Sequence, residues 1–250
     1  MILELLPPCR TTDVAARSTL VLAPHFDDEV LGCGGLLRKL ADRGADVRVL
    51  FLTDGSGGIE EIGDRRAYSL RRQEEAKAAT QILGCAAMEL AGIRDGALME
   101  GRTQAATAIR RALREQRPDL ILVPSPLEIT DDHRAAFFAL HDVLSSAGKE
   151  SALAGLGREL EIWLYEVNHP GYPDLLIDVS ECRGTLERAM AAYASQEERH
   201  PYLSAALGLR QFRTLSLGPQ VSLAEAYRRL VAADFSAGLA QLVAALGGGR

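Results

Sequence analysis

Cysteine is sparse in this sequence and poorly placed for pairing. The four, Cys9, Cys33, Cys85 and Cys182, stand far apart and form no C-x-x-C pair, so neither a disulfide framework nor a thiolate zinc site is indicated. They read as free thiols, with Cys33 alone near suspected chemistry. No apolar run reaches the roughly 18 residues that a membrane span needs. The opening MILELLPPCR has neither the basic n-region nor the apolar h-region of a secretory leader, and a cytoplasmic protein is expected. Positive charge is also short: 28 Lys and Arg against 34 Asp and Glu give a formal net charge of -6. That balance argues against a general nucleic-acid binder, which needs clustered cations on phosphate, and leaves small molecules as the expected partners. There is no internal repeat. Histidine occurs five times, so any histidine-built site draws on a short list.

What is present is the composition of a soluble globular chain, 47% hydrophobic and 25% charged, long enough at 250 residues for one sizeable core. Strand-like and helix-like segments alternate. TLVLA from Thr19 reads as a strand, Val30 to Arg43 as a helix ending before Gly44, and VRVLFLT from Val47 as a strand. The loop DGSGG precedes a long helix from about Arg65 to Leu83, stopped by Gly84. AAMEL, a helix from about Thr103 to Arg114 and the strand DLILVP continue the rhythm. Strands separated by helices of this length imply right-handed crossovers and a parallel sheet covered on both faces. The expected fold is therefore α/β, a Rossmann-like three-layer sandwich with a mostly parallel sheet. One domain over 1–250 is expected, with a core at about 17–180 and a C-terminal helical extension at about 181–245. EIWLYEV and LLIDVS supply further strands, helices are expected near Glu181 to Glu198 and Leu223 to Ala233, and the GGGR tail is expected to fray.

The stretch APHFDDEVLGCGG sets His25, Asp27, Asp28 and Glu29 just past the end of the first strand, where ligands bind in open parallel sheets. Imidazole and carboxylate are ordinary zinc ligands, and two residues of one tight loop can hold one ion. Neighbouring side chains diverge, which leaves the adjacent carboxylate free to act as a base. Helix capping by acids explains one or two carboxylates, but not three beside a histidine. A second loop, PSPLEITDDHRAAFFAL, follows DLILVP and brings carboxylates and His133 to the start of another helix; the two loops are expected to converge on one ion. His141 reads as a buried helix residue, His200 as a turn residue, and His169 in EVNHPGYPD as a loop residue with a modest claim on the site. Gly32, Gly34 and Gly35 do not have dinucleotide spacing and read as close helix-to-strand packing. Arg72 sits in RRQEEAKAATQILG, which alone reads as a solvated helix face.

With both loops in view, the sequence resembles the PIG-L (LmbE-like) family of zinc-dependent N-acetylglucosamine deacetylases. That family's His-Pro-Asp-Asp-Glu stands here as His25-Phe26-Asp27-Asp28-Glu29 followed by LGCGG. Its His-Pro-Asp-His stands as Thr130-Asp131-Asp132-His133, and its Arg-x-x-Glu as Arg72 and Glu75. The resemblance extends into YASQEER. It implies one zinc per chain held by His25, Asp28 and His133, with Asp27 as general base and Arg72 as a substrate contact. Thr130 replaces the histidine thought to pair with the aspartate matched by Asp132, so the proton donor is the clearest departure: either the metal and Asp27 suffice, or another residue takes the role, with Asp132, Thr130 and the loop residue His169 as the candidates. Phe26 in place of proline is expected to matter little.

The function this implies is zinc-dependent hydrolysis of the acetamide of an N-acetylated amino sugar or glycoconjugate. Two alternatives accompany it, a metal-dependent phosphoesterase and a catalytically silent sugar-binding protein of the same fold.

Overall fold

The computed structural model describes residues 9–11, 13–57, 64–146 and 160–247. Gly58 of DGSGG and the tail beyond Gly247 lie outside them. In chain order the strands and helices are β1 (Cys9–Thr11), β2 (Ser18–Ala23), α1 (Asp28–Asp42), β3 (Asp46–Thr53), α2 (Arg65–Leu83), β4 (Ala87–Ile93), α3 (Arg102–Gln116), β5 (Leu120–Pro124), α4 (Asp131–Ser146), β6 (Glu161–Tyr165), β7 (Leu175–Asp178), α5 (Arg183–Ala191), α6 (Ala194–Glu197), α7 (Tyr202–Phe212), β8 (Ala224–Val231) and α8 (Leu239–Leu246).

Among these residues the strands form one sheet in the order β1-β7-β8-β6-β5-β2-β3-β4. Every pairing is parallel except the two made by β8. Strand side chains point alternately to opposite faces, and here both faces are covered. Val21, Val49 and Phe51 pack on one side with Leu36 and Leu40 of α1, Ala76 of α2 and Leu186 of α5. Leu20, Leu22, Leu50 and Leu52 pack on the other with Ile109 of α3, Leu140 of α4 and Leu242 of α8. Continuous apolar strands such as LILVP, buried throughout, are what a two-sided cover demands. The sandwich is three-layered, as expected.

Local chemistry sets the helix ends. The Asp64 carboxylate accepts the amide of Ala67 at 3.0 Å to open α2, and Gly84, at φ 83°, closes it in the left-handed region that glycine enters freely. The glycines of α1 serve contact. A Cβ at Gly32 would run into the Tyr165 ring of β6, and one at Gly34 would lie 2.9 Å from Leu186.

The expected helix at Leu223 to Ala233 is instead β8. AEAYRRLV is rich in good helix formers, but its first four residues are buried in the slot between β6 and β7, and sheet pairing there outweighs propensity. The residues after about 180 are thus not only a helical extension, because β8 joins β7 and β1 to the rest of the sheet. β1 also has no counterpart in the sequence reading.

The chain runs outward from β2 through β3 to β4, then returns through β5 to β6 on the other side. That reversal opens a crevice at the carboxyl ends of β2 and β5, the usual ligand position in such sheets. Both acid-and-histidine loops start there.

Candidate active site

Residues 24–27 form the turn from β2 into α1. Asp27 has φ 111° and ψ -25°, a conformation that costs a non-glycine residue about 1–3 kcal/mol and that its surroundings hold in place. The Asp27 amide donates to Glu29 Oε2 at 3.2 Å, and Tyr193 donates its hydroxyl to Glu29 Oε1 at 2.6 Å. The Phe26 ring is fully buried, edge-on to Phe51 at 4.9 Å, and its carbonyl accepts Arg72 Nη2 at 2.9 Å. Phe26 therefore anchors the turn.

Three atoms meet at the crevice. His25 Nδ1 lies 3.3 Å from His133 Nε2 and 3.4 Å from Asp28 Oδ2, and His133 Nε2 lies 3.3 Å from Asp28 Oδ2. A tetrahedral ion bonded at about 2.0–2.1 Å holds its ligand atoms about 3.3–3.4 Å apart, which is the spacing here. His25, Asp28 and His133 can hold a metal ion. Two imidazole nitrogens and a carboxylate oxygen aimed at one point are a donor set for a borderline cation.

Electrostatics follows from this crowding. Burial resists the charge on Asp28, but His133 and His25 hold its carboxyl well below the usual carboxylate range. Burial likewise opposes charge on His133, yet Asp28 and Glu128 push it up to about 9. Asp27 moves the other way. Burial and the neighbouring Asp28 raise it to about 7, with Arg72 pulling back; Arg72 Nη2 is 3.9 Å from its carboxylate.

Each histidine has a carboxylate behind it, which fixes ring orientation and raises ligand basicity. His25 Nε2 is 3.0 Å from Asp132 Oδ2, and Asp132 is pinned by the amides of Gly96 at 2.8 Å and Leu98 at 3.0 Å. Asp95 Oδ1 stands 3.4 Å from the same nitrogen, while Asp95 Oδ2 accepts Arg72 Nη1 at 3.3 Å. His133 Nδ1 has Glu128 Oε2 at 3.5 Å, an ion-pair distance, and no hydrogen-bond partner among the described residues. Glu128, almost wholly buried, also collects the amides of Val167 at 2.8 Å and Asn168 at 3.1 Å.

The pocket around these groups is about 480 Å³, within the range for small-molecule sites. Asp27 and Arg72 line it. Arg72 is buried, and its Nη1 and Nη2 donate to Gly55, Asp95 and Phe26, so it ties the loops after β2, β3 and β4 together as well as facing the pocket. Thr130 lines the wall, but its hydroxyl is buried without a partner among the described residues. His169 is exposed and stands outside the lining residues, which on its loop are Val167 and Asn168. His141 bonds the Ala237 carbonyl at 2.9 Å, His200 meets the Tyr202 ring edge-on, and Cys33 is core, its thiol donating to the Glu29 carbonyl.

Sequence reasoning passed over Glu128, Asp95, Gln196 and Tyr202. Glu128 stood inside the quoted second loop and Gln196 inside YASQEER, so the signal was present without a reason to single them out. Gln196 and Tyr202 reach the pocket only because α6 and α7 fold back to it.

The profile described as PIG-L, GlcNAc-PI de-N-acetylase, matches residues 20–144. The diacetylchitobiose deacetylase of Thermococcus kodakarensis is 33% identical over 195 residues, covering 72% of this chain and 70% of that protein. The solved N,N'-diacetylchitobiose deacetylase of Pyrococcus horikoshii aligns with a TM-score of 0.75 at 22% identity, covering 88% of this chain and 86% of that one. The 4-carboxy-2-hydroxymuconate hydratase of Pseudomonas putida aligns with a TM-score of 0.74 at 23% identity, covering 86% and 96%. These last two likenesses establish a shared fold, and the same scaffold serving a hydratase means that chemistry must be argued from side chains.

Proposed function

The chain belongs to the PIG-L family, and from that membership we propose that it hydrolyses the acetamide of an N-acetylated amino sugar or glycoconjugate, releasing acetate and a free amine. The observation that carries the reading is the near-equilateral triangle of His25, Asp28 and His133 ligand atoms with the Asp27 carboxylate in the same pocket. We assign the ion as zinc, one per chain, because two imidazoles and one carboxylate at tetrahedral spacing suit it. When bound, the ion supplies polarisation of the acetamide carbonyl and stabilisation of the negative charge that develops there.

Asp27 is the base. It takes a proton from the water that adds to the carbonyl and returns it to the departing nitrogen. Its raised pKa, about 7, suits a group that must both accept and give a proton near neutrality. Asp132 holds the His25 ring, and Arg72 fixes the turn and forms the wall against the sugar. Thr130 and His169 are poorly disposed to act as donors, the first because its hydroxyl is enclosed and the second because it lies outside the pocket lining. The Tyr202 hydroxyl, on a half-buried ring that lines the pocket, is the neutral O–H we assign to the developing oxyanion.

The two-metal sites common among phosphoesterases set their ions about 3.5–4 Å apart. The second carboxylate group, Asp95 with Asp132, meets the opposite nitrogen of the same imidazole, and an imidazole bridge separates two ions by more than that. We read residues 1–250 as one catalytic domain, in the cytoplasm, acting on a small molecule and not on nucleic acid; among the described residues no helix is long and apolar enough to cross a membrane.

The test is a panel of acetylated amino sugars scored for acetate and amine, beside p-nitrophenyl phosphate, with bound metal measured on the same preparation. Amine release with about one zinc per chain is expected. Phosphate release alone would make the protein a phosphoesterase, and metal-dependent sugar binding without any product would make it a silent binder.

A further inference from the structure

Asp27 precedes the first residue of α1, where an aspartate ordinarily turns its carboxylate back onto the helix amides from an extended backbone. Here it does neither. Its backbone is left-handed, at φ 111°, and its side chain makes no capping bond; the carboxylate lines the pocket instead. Among the described residues the only other non-glycine at positive φ is Arg117, which ends α3, where a left-handed residue is common. Asp27 begins a helix, so its conformation has to be imposed from outside.

The imposing contacts close on themselves through α2 and α6. Arg72 of α2 donates Nη2 to the Phe26 carbonyl at 2.9 Å. Glu75, one turn on, reaches α6, where its Oε1 accepts the Ser195 amide at 3.0 Å and its Oε2 the Ser195 hydroxyl at 2.5 Å. Two residues before Ser195, Tyr193 donates its hydroxyl to Glu29 Oε1 at 2.6 Å, and Glu29 Oε2 accepts the Asp27 amide at 3.2 Å. Phe26 and Asp27, neighbours in the chain, are thus gripped from opposite ends of one circuit. Glu29, Arg72, Tyr193 and Ser195 are buried, and charge-assisted bonds to a carboxylate are the strong ones. Glu75 also meets Arg71 at 3.0 Å, but an ion pair with a half-exposed arginine contributes little and does not account for two bonds to Ser195.

We propose that Glu75, Ser195 and Tyr193 are positioning residues, tying α6 to α2 so that Glu29 holds the Asp27 turn left-handed and its carboxylate toward the pocket, an assignment that rests on Asp27 being the base in the hydrolysis reading above. The tie runs behind Asp27 and not through His25, Asp28 or His133, so bound metal should be retained when it is cut.

The experiment measures kcat, KM and bound metal for Tyr193→Phe, Ser195→Ala, Glu75→Ala, Glu75→Gln and Arg71→Ala, with an acetylated amino sugar that yields amine, at a temperature where circular dichroism shows each variant folded. Tyr193→Phe should lower kcat about ten- to hundredfold, the scale of a small misplacement of a reacting group, with KM and metal content unchanged. Ser195→Ala keeps its amide bond and should lose less. Glu75→Ala should match Tyr193→Phe in kcat and also raise KM, because Gln196 on the pocket wall donates to Ser195 Oγ at 3.0 Å. Glu75→Gln retains an acceptor for the Ser195 amide and should recover most of the loss, while Arg71→Ala should stay within about twofold. Tyr193→Phe and Ser195→Ala each remove one oxygen and keep the core filled, so the test stands even where Glu75→Ala does not fold.

The deciding arm repeats Tyr193→Phe in Asp27→Asn protein. A residue that acts through Asp27 has little left to lose there, so kcat should change by less than about twofold. An undiminished further loss in that background, or wild-type kcat in both Tyr193→Phe and Glu75→Ala, overturns the proposal. Hydrogen exchange on metal-free protein reads the tie without catalysis: amides 25–31 should exchange about tenfold faster in Glu75→Ala than in wild type, with α3 unchanged. If no sugar releases amine, the hydrolysis reading fails; faster exchange at the turn would then uphold the tie, and unchanged exchange would overturn it too.

Discussion

Glu225 is a residue whose loss should cost the fold heavily. It is buried on β8, and its carboxylate accepts the amides of Gly35 and Leu36 in α1, each at 2.8 Å, and the Tyr227 hydroxyl at 2.8 Å. It also pairs with buried Arg210 at 2.7 Å, and Arg210 in turn donates to the Val30 carbonyl at 2.8 Å. Glu225→Ala leaves Arg210 as an uncompensated buried charge, which costs about 3–5 kcal/mol. It also strands up to three donors, at about 1–3 kcal/mol each where no other acceptor replaces the carboxylate. The expected loss exceeds about 5 kcal/mol, comparable to the whole stability of many domains. With a urea m-value of about 1–3 kcal/mol/M the midpoint should fall by about 2 M or more, or the variant should not fold at all. Glu225→Gln keeps the shape and one acceptor oxygen and should lose less. Urea titrations of both variants followed by circular dichroism check this, and a Glu225→Ala midpoint within about 0.5 M of wild type would refute the clamp.

The remaining predictions concern the site. Ala at His25, Asp28 or His133 should each strip the metal, measured by metal analysis after dialysis; full occupancy after losing any two would remove the ligand assignment. Asp27→Asn should keep the metal and lower kcat by about 10²- to 10⁴-fold, and loss of metal would exchange the roles of the two aspartates. The base works only when ionised, so kcat/KM should fall as pH drops through the Asp27 pKa. A bound cation pulls that value down from about 7, which puts the acid limb below 7, and a flat profile there would exclude Asp27. His169→Ala should leave turnover within about twofold, while Tyr202→Phe should lower kcat about tenfold with KM little changed; the reverse pattern would return the donor role to the loop histidine.

Much of the fold follows from local pattern. Arg65–Leu83 is bounded by a capping aspartate and a left-handed glycine, both visible as residue types, and the buried strands β2, β3 and β5 announce themselves as apolar runs before turn residues. β8 does not, because its strand character comes from the slot it fills and not from its own residues. The same division holds in the site. His25 and His133 stand out because histidine is rare and acids surround it. Glu128 and Asp95 act through ring nitrogens and backbone amides contributed by other loops, and Tyr202 reaches the pocket only through a fold-back of α7. Those relations exist only in three dimensions.

The antiparallel insertion of β8 has a consequence for the order of events during synthesis. Among the described residues, β6 pairs with β5 on one side and its other edge is covered only by Tyr227–Val231, and β7 reaches the main sheet only through the same strand. A ribosome that has delivered His25, Asp28 and His133 still holds back the segment that closes the sheet. Until it emerges, IWLY presents an open apolar edge of the kind that recruits other strands. Stalled nascent chains ending just before and just after β8 should differ sharply in protease resistance and chaperone binding, even though both contain His25, Asp28 and His133. Equal behaviour of the two would mean that the edge is protected earlier by some other part of the chain.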